Sequence, residues 1–270
     1  MSPRLYVEAP DGLSWRAGHE LDLPAPAARH AQVLRLQPGS ILTLFNGSGG
    51  QWSANILHMG RQDVTVRLVG HEAVECELPV AVTLAVCMPA NDRMGDLVEK
   101  ATELGAMAIV PLVSERSVLK LSGERAAKRQ AHWQAVAVAA SEQCGRNRVP
   151  QVQATQGLDS FLEQAFVSGV GGVGRVGGVS ERWQLSLAPG AVALAQTCLA
   201  WFKGLEPTTS AHLCVLSGPE GGLTAGEQAH AQQAGYRPVS LGPRTLRADT
   251  APLAALAAVG AWTADTGVGS

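Results

Sequence analysis

The sequence predicts an α/β protein in two parts: a small N-terminal β-barrel, then a larger domain built on a parallel sheet. Three observations carry this. Residues 1 to about 75 hold short segments in which polar and apolar residues alternate. Two continuous apolar runs follow, at 80–88 and 108–113, each leading into a helical pattern. The last third then repeats the order of apolar run, glycine-rich turn and helix. Strands alternating with helices pack as a parallel sheet with both faces covered.

Taken in order, 40–45 is a strand, 46–50 (NGSGG) a turn and 51–57 a returning strand, together a hairpin. Residues 63–68 alternate as a half-buried strand does, and a helix is expected around 25–34. Short strands of this kind close most simply into a small barrel. The acidic, proline-containing stretch 71–79 reads as a linker, so the expected domains are 1–75 and 76–270. In the second, 80–88 is a strand buried on both faces. Leu97, Val98, Ala101 and Leu104 share one helical face, which Gly105 ends. A strand at 108–113, a long helix at 123–143, and short strands at 212–216 and 238–241 around a helix at 225–234 complete the pattern. Residues 168–180, SGVGGVGRVGGVS, carry glycine at 169, 171, 172, 174, 177 and 178 and are expected to be a flexible surface insertion. A phosphate-cradling loop would need a strand leading into those glycines, and no strong strand precedes them.

With 270 residues, 46% hydrophobic and 16% charged, the chain can bury a substantial core. No run approaches the ~18 apolar residues of a membrane span, and the opening MSPRLYVEAPDG lacks the apolar stretch of a signal peptide. Cys76, Cys87, Cys144, Cys198 and Cys214 are scattered and contain no C-x-x-C pair, which argues against a disulfide framework or a metal site and for a reducing cytoplasm. Net charge is −2 and the isoelectric point near 6.4. A nucleic-acid-binding domain is usually basic, so an RNA partner requires positive charge concentrated locally.

Chemistry is expected in two C-terminal loops. Leu216-Ser217-Gly218-Pro219-Glu220-Gly221-Gly222 follows a strand and precedes a helix, whose start is fixed by the T-x-x-E pattern of Thr224 and Glu227. Its glycines let a backbone approach a ligand, although a tight strand-to-helix turn uses the same residues. The second loop, 241–251, leads into an almost wholly apolar helix at 253–262, with Asp249 a possible N-cap. Arg247 and Asp249 either cap and pair there or face a substrate. A third cluster, Glu142 to Arg148, ends the long helix. Its two arginines suit phosphate contact and its amides suit base edges. Cys144 within it reads as an inert thiol, because no histidine base is placed beside it by any motif.

Six segments, RHAQVLRLQPG (29–39), NDRMGDLVEKATELGA (91–106), IVPLVSERS (109–117), SEQCGRNRVP (141–150), SGPEGGLTAGE (217–227) and LGPRTLRADTA (241–251), occur in one order along the chain. Through them the sequence resembles the RsmE family of 16S rRNA uracil-N3 methyltransferases, of the SPOUT superfamily. The resemblance implies a PUA-like barrel that assists RNA binding, and an α/β domain with a trefoil knot. It also implies a homodimer acting on 16S rRNA of the small ribosomal subunit. S-adenosylmethionine would be held by Leu216, Gly218, Pro219, Glu220, Gly221 and Gly222, with Leu241, Gly242, Pro243 and Leu246. Arg247 would stabilise charge on the uracil and Asp249 would accept the N3 proton. Arg29, Arg35, Arg146, Asn147 and Arg148 would contact RNA. Two departures stand out: family members usually carry Glu where this chain has Asp249, and the Gly/Val stretch 169–179 lies outside the family pattern. The same fold could instead methylate a ribose 2′-oxygen, and a non-enzymatic RNA-binding factor would need no methyl donor at all.

Overall fold

The computed structural model describes residues 2–8, 15–61, 63–168, 179–205 and 211–265. The chain forms two compact units, Met1–Glu77 with Val138–Val149, and Leu78–Ala137 with Pro150–Ser270.

The first unit contains β1 (Arg4–Tyr6), β2 (Glu20–Asp22), α1 (Ala25–Val33), β3 (Ile41–Phe45), β4 (Gln51–Met59) and β5 (Val64–Glu72). These strands make one sheet in the order β1-β3-β4-β5-β2. β1 runs parallel to β3 and the other pairs are antiparallel. Alternation sets the buried face: Val64, Val66 and Leu68 of β5 are buried while Arg67 and Val69 between and beyond them are exposed. They pack with Leu42, Leu44, Ala54 and Ile56, and α1 covers them with Ala27, Ala28 and Ala31.

The second unit contains β6 (Val80–Cys87), α2 (Met94–Glu103), β7 (Ala108–Val113), α3 (Gly123–Cys144, whose last turns belong to the first unit), β8 (Gln151–Val152), β9 (Gln156–Gly157) and α4 (Leu158–Ser168). It continues with β10 (Val179–Leu185), β11 (Val192–Ala193), α5 (Leu194–Phe202), β12 (Ala211–Ser217), α6 (Ala225–Gln233), β13 (Arg237–Ser240) and α7 (Thr250–Asp265). The sheet order is β11-β13-β10-β12-β6-β7-β8, with β9 also beside β7. Every pairing is parallel. β12 is buried along its whole length and β6 nearly so, as expected of strands covered on both faces. Gly105 ends α2 at φ +95, where a Cβ would stand 2.8 Å from Leu78 Cγ.

Several elements differ from the expectation. α4, α5, β10 and β11 had no counterpart in it. Of the glycine-rich segment 168–180, residues 169–178 lie outside the described residues, Ser168 closes α4, and Val179 and Ser180 open β10. Residues 138–149, expected in the C-terminal domain, group with the first unit because their polar groups are bonded there. Tyr6 N donates to Glu142 Oε1 (2.7 Å), Arg4 Nη2 to Asn147 Oδ1 (2.8 Å) and Arg146 Nε to Glu77 Oε1 (2.9 Å).

Candidate active site

β10 lies between β12 and β13, so the loops leaving the carboxyl ends of these three strands are neighbours. Ligands of open parallel sheets bind beyond such ends. Here the strand ends and loops enclose a cavity of about 620 Å³, lined by residues 184–188 at the end of β10 and beyond it, 217–223 at the end of β12 and beyond it, and Leu241 with 244–248 after β13, together with Gln228 and Ala251. That volume suits a small-molecule cofactor.

The β12 loop is held from several sides. Gly222 N bonds Pro219 O at 2.8 Å, and Gly222 itself sits at φ +66, a conformation that disfavours any side chain. A Cβ on Gly218 would stand 3.2 Å from both Leu223 N and Leu223 Cγ. Thr224 and Glu227 form both halves of the expected capping box, with Glu227 N to Thr224 Oγ1 at 3.2 Å and Thr224 N to Glu227 Oε2 at 2.8 Å. The other Glu227 oxygen accepts from Glu115 N at 2.8 Å. Arg116 Nη1 donates to Gly221 O at 2.9 Å, and Glu220 Oε1 accepts from Ala90 N at 2.9 Å. The ends of β6 and β7 thus brace the loop, and its backbone groups are oriented before any ligand arrives.

The expected donor-binding residues fall into two sets. Gly218, Pro219, Glu220, Gly221, Gly222, Leu241 and Leu246 line the cavity. Leu216 is buried in the core beneath it, while Gly242 (φ +100) and Pro243 form the turn outside its wall. Gln184, residues 185–188 and Gln228 are further wall residues that the sequence reading missed. The unrecognised strand β10 and the loop that follows it carry all of them but Gln228.

The expected catalytic pair is also separated. Arg247 is exposed on the cavity wall, and its carbonyl accepts the first amides of α7 from Thr250 and Ala251, each at 3.0 Å. Asp249 is not on the wall. Its Oδ2 faces Arg93 Nη1 at 3.5 Å, and its buried Oδ1 has no hydrogen-bond partner among the described residues, so the expected N-cap of α7 is not made. Arg93 follows two consecutive left-handed residues, Asn91 (φ 59) and Asp92 (φ 58). Such backbone persists where the surroundings fix it, and Asp92 is anchored by Arg129 at 2.6 Å.

The expected RNA contacts need a correction. Arg146 and Asn147 are 3% and 1% exposed. Arg146 pairs with Glu77, and Asn147 Nδ2 donates to Val74 O at 2.6 Å. Both side chains are committed to the interior of the first unit. Arg148 is exposed, 3.6 Å from Glu75. Arg29 and Arg35 are exposed with no ion-pair partner found among the described residues. Arg35 stands at φ 55 beside exposed Val33 and Leu34. Cys144 is half-buried. Burial pushes the Cys87 thiol up to about 12 and those of Cys198 and Cys214 up to about 11, so these three are poor nucleophiles. Among the described residues no group of side chains could hold a metal ion, and no helix is long and apolar enough to cross a membrane.

Comparison with known proteins places this geometry. The RNA methyltransferase domain model matches residues 76–260, and the RNA methyltransferase PUA domain model matches residues 23–69. Ribosomal RNA small subunit methyltransferase E of Synechocystis sp. is 32% identical over 239 residues, 85% of this chain and 69% of that protein. The Bacillus subtilis protein of the same name is 29% identical, with 84% of each chain covered. Among solved structures, the Neisseria gonorrhoeae ribosomal RNA small subunit methyltransferase E bound to S-adenosylmethionine superposes with a TM-score of 0.78 at 31% identity, covering 96% of each chain. A Legionella pneumophila methyltransferase with the same bound cofactor gives 0.80 at 29% identity, covering 97% of this chain and 98% of that one. The chain belongs to the RNA methyltransferase family that contains the ribosomal RNA small subunit methyltransferases E.

Proposed function

We propose that the protein transfers the methyl group of S-adenosylmethionine to N3 of a uridine in small-subunit ribosomal RNA, acting in the cytoplasm as a homodimer. The observation that carries this reading is the cavity of about 620 Å³ formed by three strand-end loops within the RNA methyltransferase domain. The residues fit the donor. A side chain on Gly218 would be tight against Leu223, Gly222 needs its positive φ, Leu241 and Leu246 supply apolar wall, and Gln184 brings a buried polar atom. When bound, the donor supplies an electrophilic methyl group on sulfur.

The chain's own residues must then orient the base and favour loss of its N3 proton. Arg247, exposed on the wall, can place a guanidinium against the uracil oxygens, where negative charge develops as N3 is deprotonated. Asp249 is the proton acceptor in this reading. It lies two residues from Arg247 and carries one unpartnered carboxylate oxygen, although the other faces Arg93. Arg29, Arg35 and Arg148 are the exposed cations assigned to RNA phosphates, and α7 is the helix assigned to the dimer.

The test is nucleoside analysis of 16S rRNA from cells lacking the protein. N3-methyluridine should disappear and return on complementation with the wild type. Loss of a 2′-O-methylated nucleoside instead would overturn the assignment. In single-turnover assays Arg247→Ala should lower kcat and kcat/KM together by about 10²–10³, with donor affinity unchanged. A wild-type rate would remove Arg247 from the chemistry.

A further inference from the structure

Gln184 is the penultimate residue of β10, in register with Leu216 on one side and Pro238 on the other. It is 1% exposed, lines the cavity, and its Oε1 has no hydrogen-bond partner among the described residues. A buried carbonyl oxygen without a donor is costly, and this one stands in a wall meant for a ligand. The wall is graded. Gln184, Ser217, Pro219, Leu223 and Ala248 are buried, whereas Glu220, Arg244, Thr245 and Arg247 are exposed.

We propose that Gln184 is a specificity residue for the methyl donor, accepting a hydrogen bond from the exocyclic amine of its adenine ring. This rests on the cavity being the donor site. S-adenosylmethionine carries donors on its adenine amine, its ribose hydroxyls and its α-ammonium group. The α-ammonium and α-carboxylate are charged and favour the exposed, charged rim. The planar base is the apolar part and favours the buried depth beside Leu223 and Pro219, where only a few polar groups fix orientation. Of these donors, the amine alone belongs to the part that fills the depth, and an acceptor there matches it. Such a contact also rejects purines that lack the amine, because the carbonyl would then be left buried and unpaired.

Calorimetry with S-adenosylhomocysteine and its analogue bearing unsubstituted purine tests this, using the wild type, Gln184→Met and Gln184→Leu. The wild type should bind the adenine compound about tenfold or more tightly than the purine one. Either variant should bind the two about equally, with a thermal transition showing that it is folded. A wild type that does not discriminate, or a folded variant that keeps the wild-type ratio, would overturn the assignment, whereas a general loss of packing would weaken both ligands alike. Gly222→Val separates the two levels of inference. Unchanged affinity for S-adenosylhomocysteine in that variant removes the cavity as the donor site, while lost affinity together with an unaltered ratio in Gln184→Met removes Gln184 alone.

Discussion

His212 lies buried in β12 with Nε2 2.9 Å from Thr83 Oγ1. Burial, and after it the charge of Arg182, holds its imidazole below the ordinary value of 6.5. The unfolded chain therefore binds a proton near pH 6.5 that the folded chain refuses until lower pH, so stability is full above that point and falls as the pH drops below it. Urea midpoints should fall from about pH 7 to about pH 5, and less steeply in His212→Gln. Parallel slopes in the two proteins would show that His212 is not responsible. The arginines of the 141–150 segment give a second contrast. Arg148→Ala should weaken RNA binding and flatten its salt dependence. Arg146→Ala should instead cost about 3 kcal/mol of stability, since it strands Glu77; filter binding across salt and chemical denaturation distinguish the two. Sequence shows that two arginines stand here but not which one turns inward, because the deciding carboxylate, Glu77, is 69 residues away. For the same reason Arg93 escaped notice as the neighbour of Asp249, 156 residues distant.

At the scale of single elements, the start of α6 is the most explicit local signal in the chain. Thr224→Ala should lose about 1 kcal/mol of stability and also weaken donor binding, because Glu227 links the helix start to the β7 end through Glu115. A thermal shift without any change in donor affinity would show the cap to be purely structural. The box was legible because its four residues are consecutive. β6, β7 and β12 were legible because an apolar run buried on both faces leaves a continuous trace in sequence. β10, reading VSERWQL, left none. Two of its charged residues find partners outside the strand: Arg182 Nη1 donates to Ala234 O at 2.9 Å, and Glu181 Oε1 accepts from Arg237 Nη2 at 3.4 Å. Missing that strand removed one of the three walls of the cavity from view, Gln184 included. Asp249 shows the opposite limit: its position fits an N-cap, while its carboxylate faces Arg93.

For the whole molecule, α7 poses a question of assembly. It is apolar nearly throughout, with Ala255, Leu256 and Val259 buried but Ala257 and Ala261 exposed. An apolar helix face left in water favours a two-fold partner. Sedimentation should show a dimer that Ala257→Glu converts to monomer, and a monomeric wild type at working concentration would defeat the proposal. The make-up of the cavity bears on how the chain acquires its activity. Its walls come chiefly from 184–188, 217–223, and Leu241 with 244–248, and none of these encloses anything alone. A chain that has paired only β6 with β7 owns no donor site. The site closes only when β13 has added to the far side of β10 and its loop has folded back toward α7. Donor binding is thus a property of three separate chain segments brought together, and a molecule lacking any one of them has no closed donor site. Once the last strand is seated, donor binding stabilises the finished state alone, so a cell rich in donor selectively protects the molecules that have completed their fold.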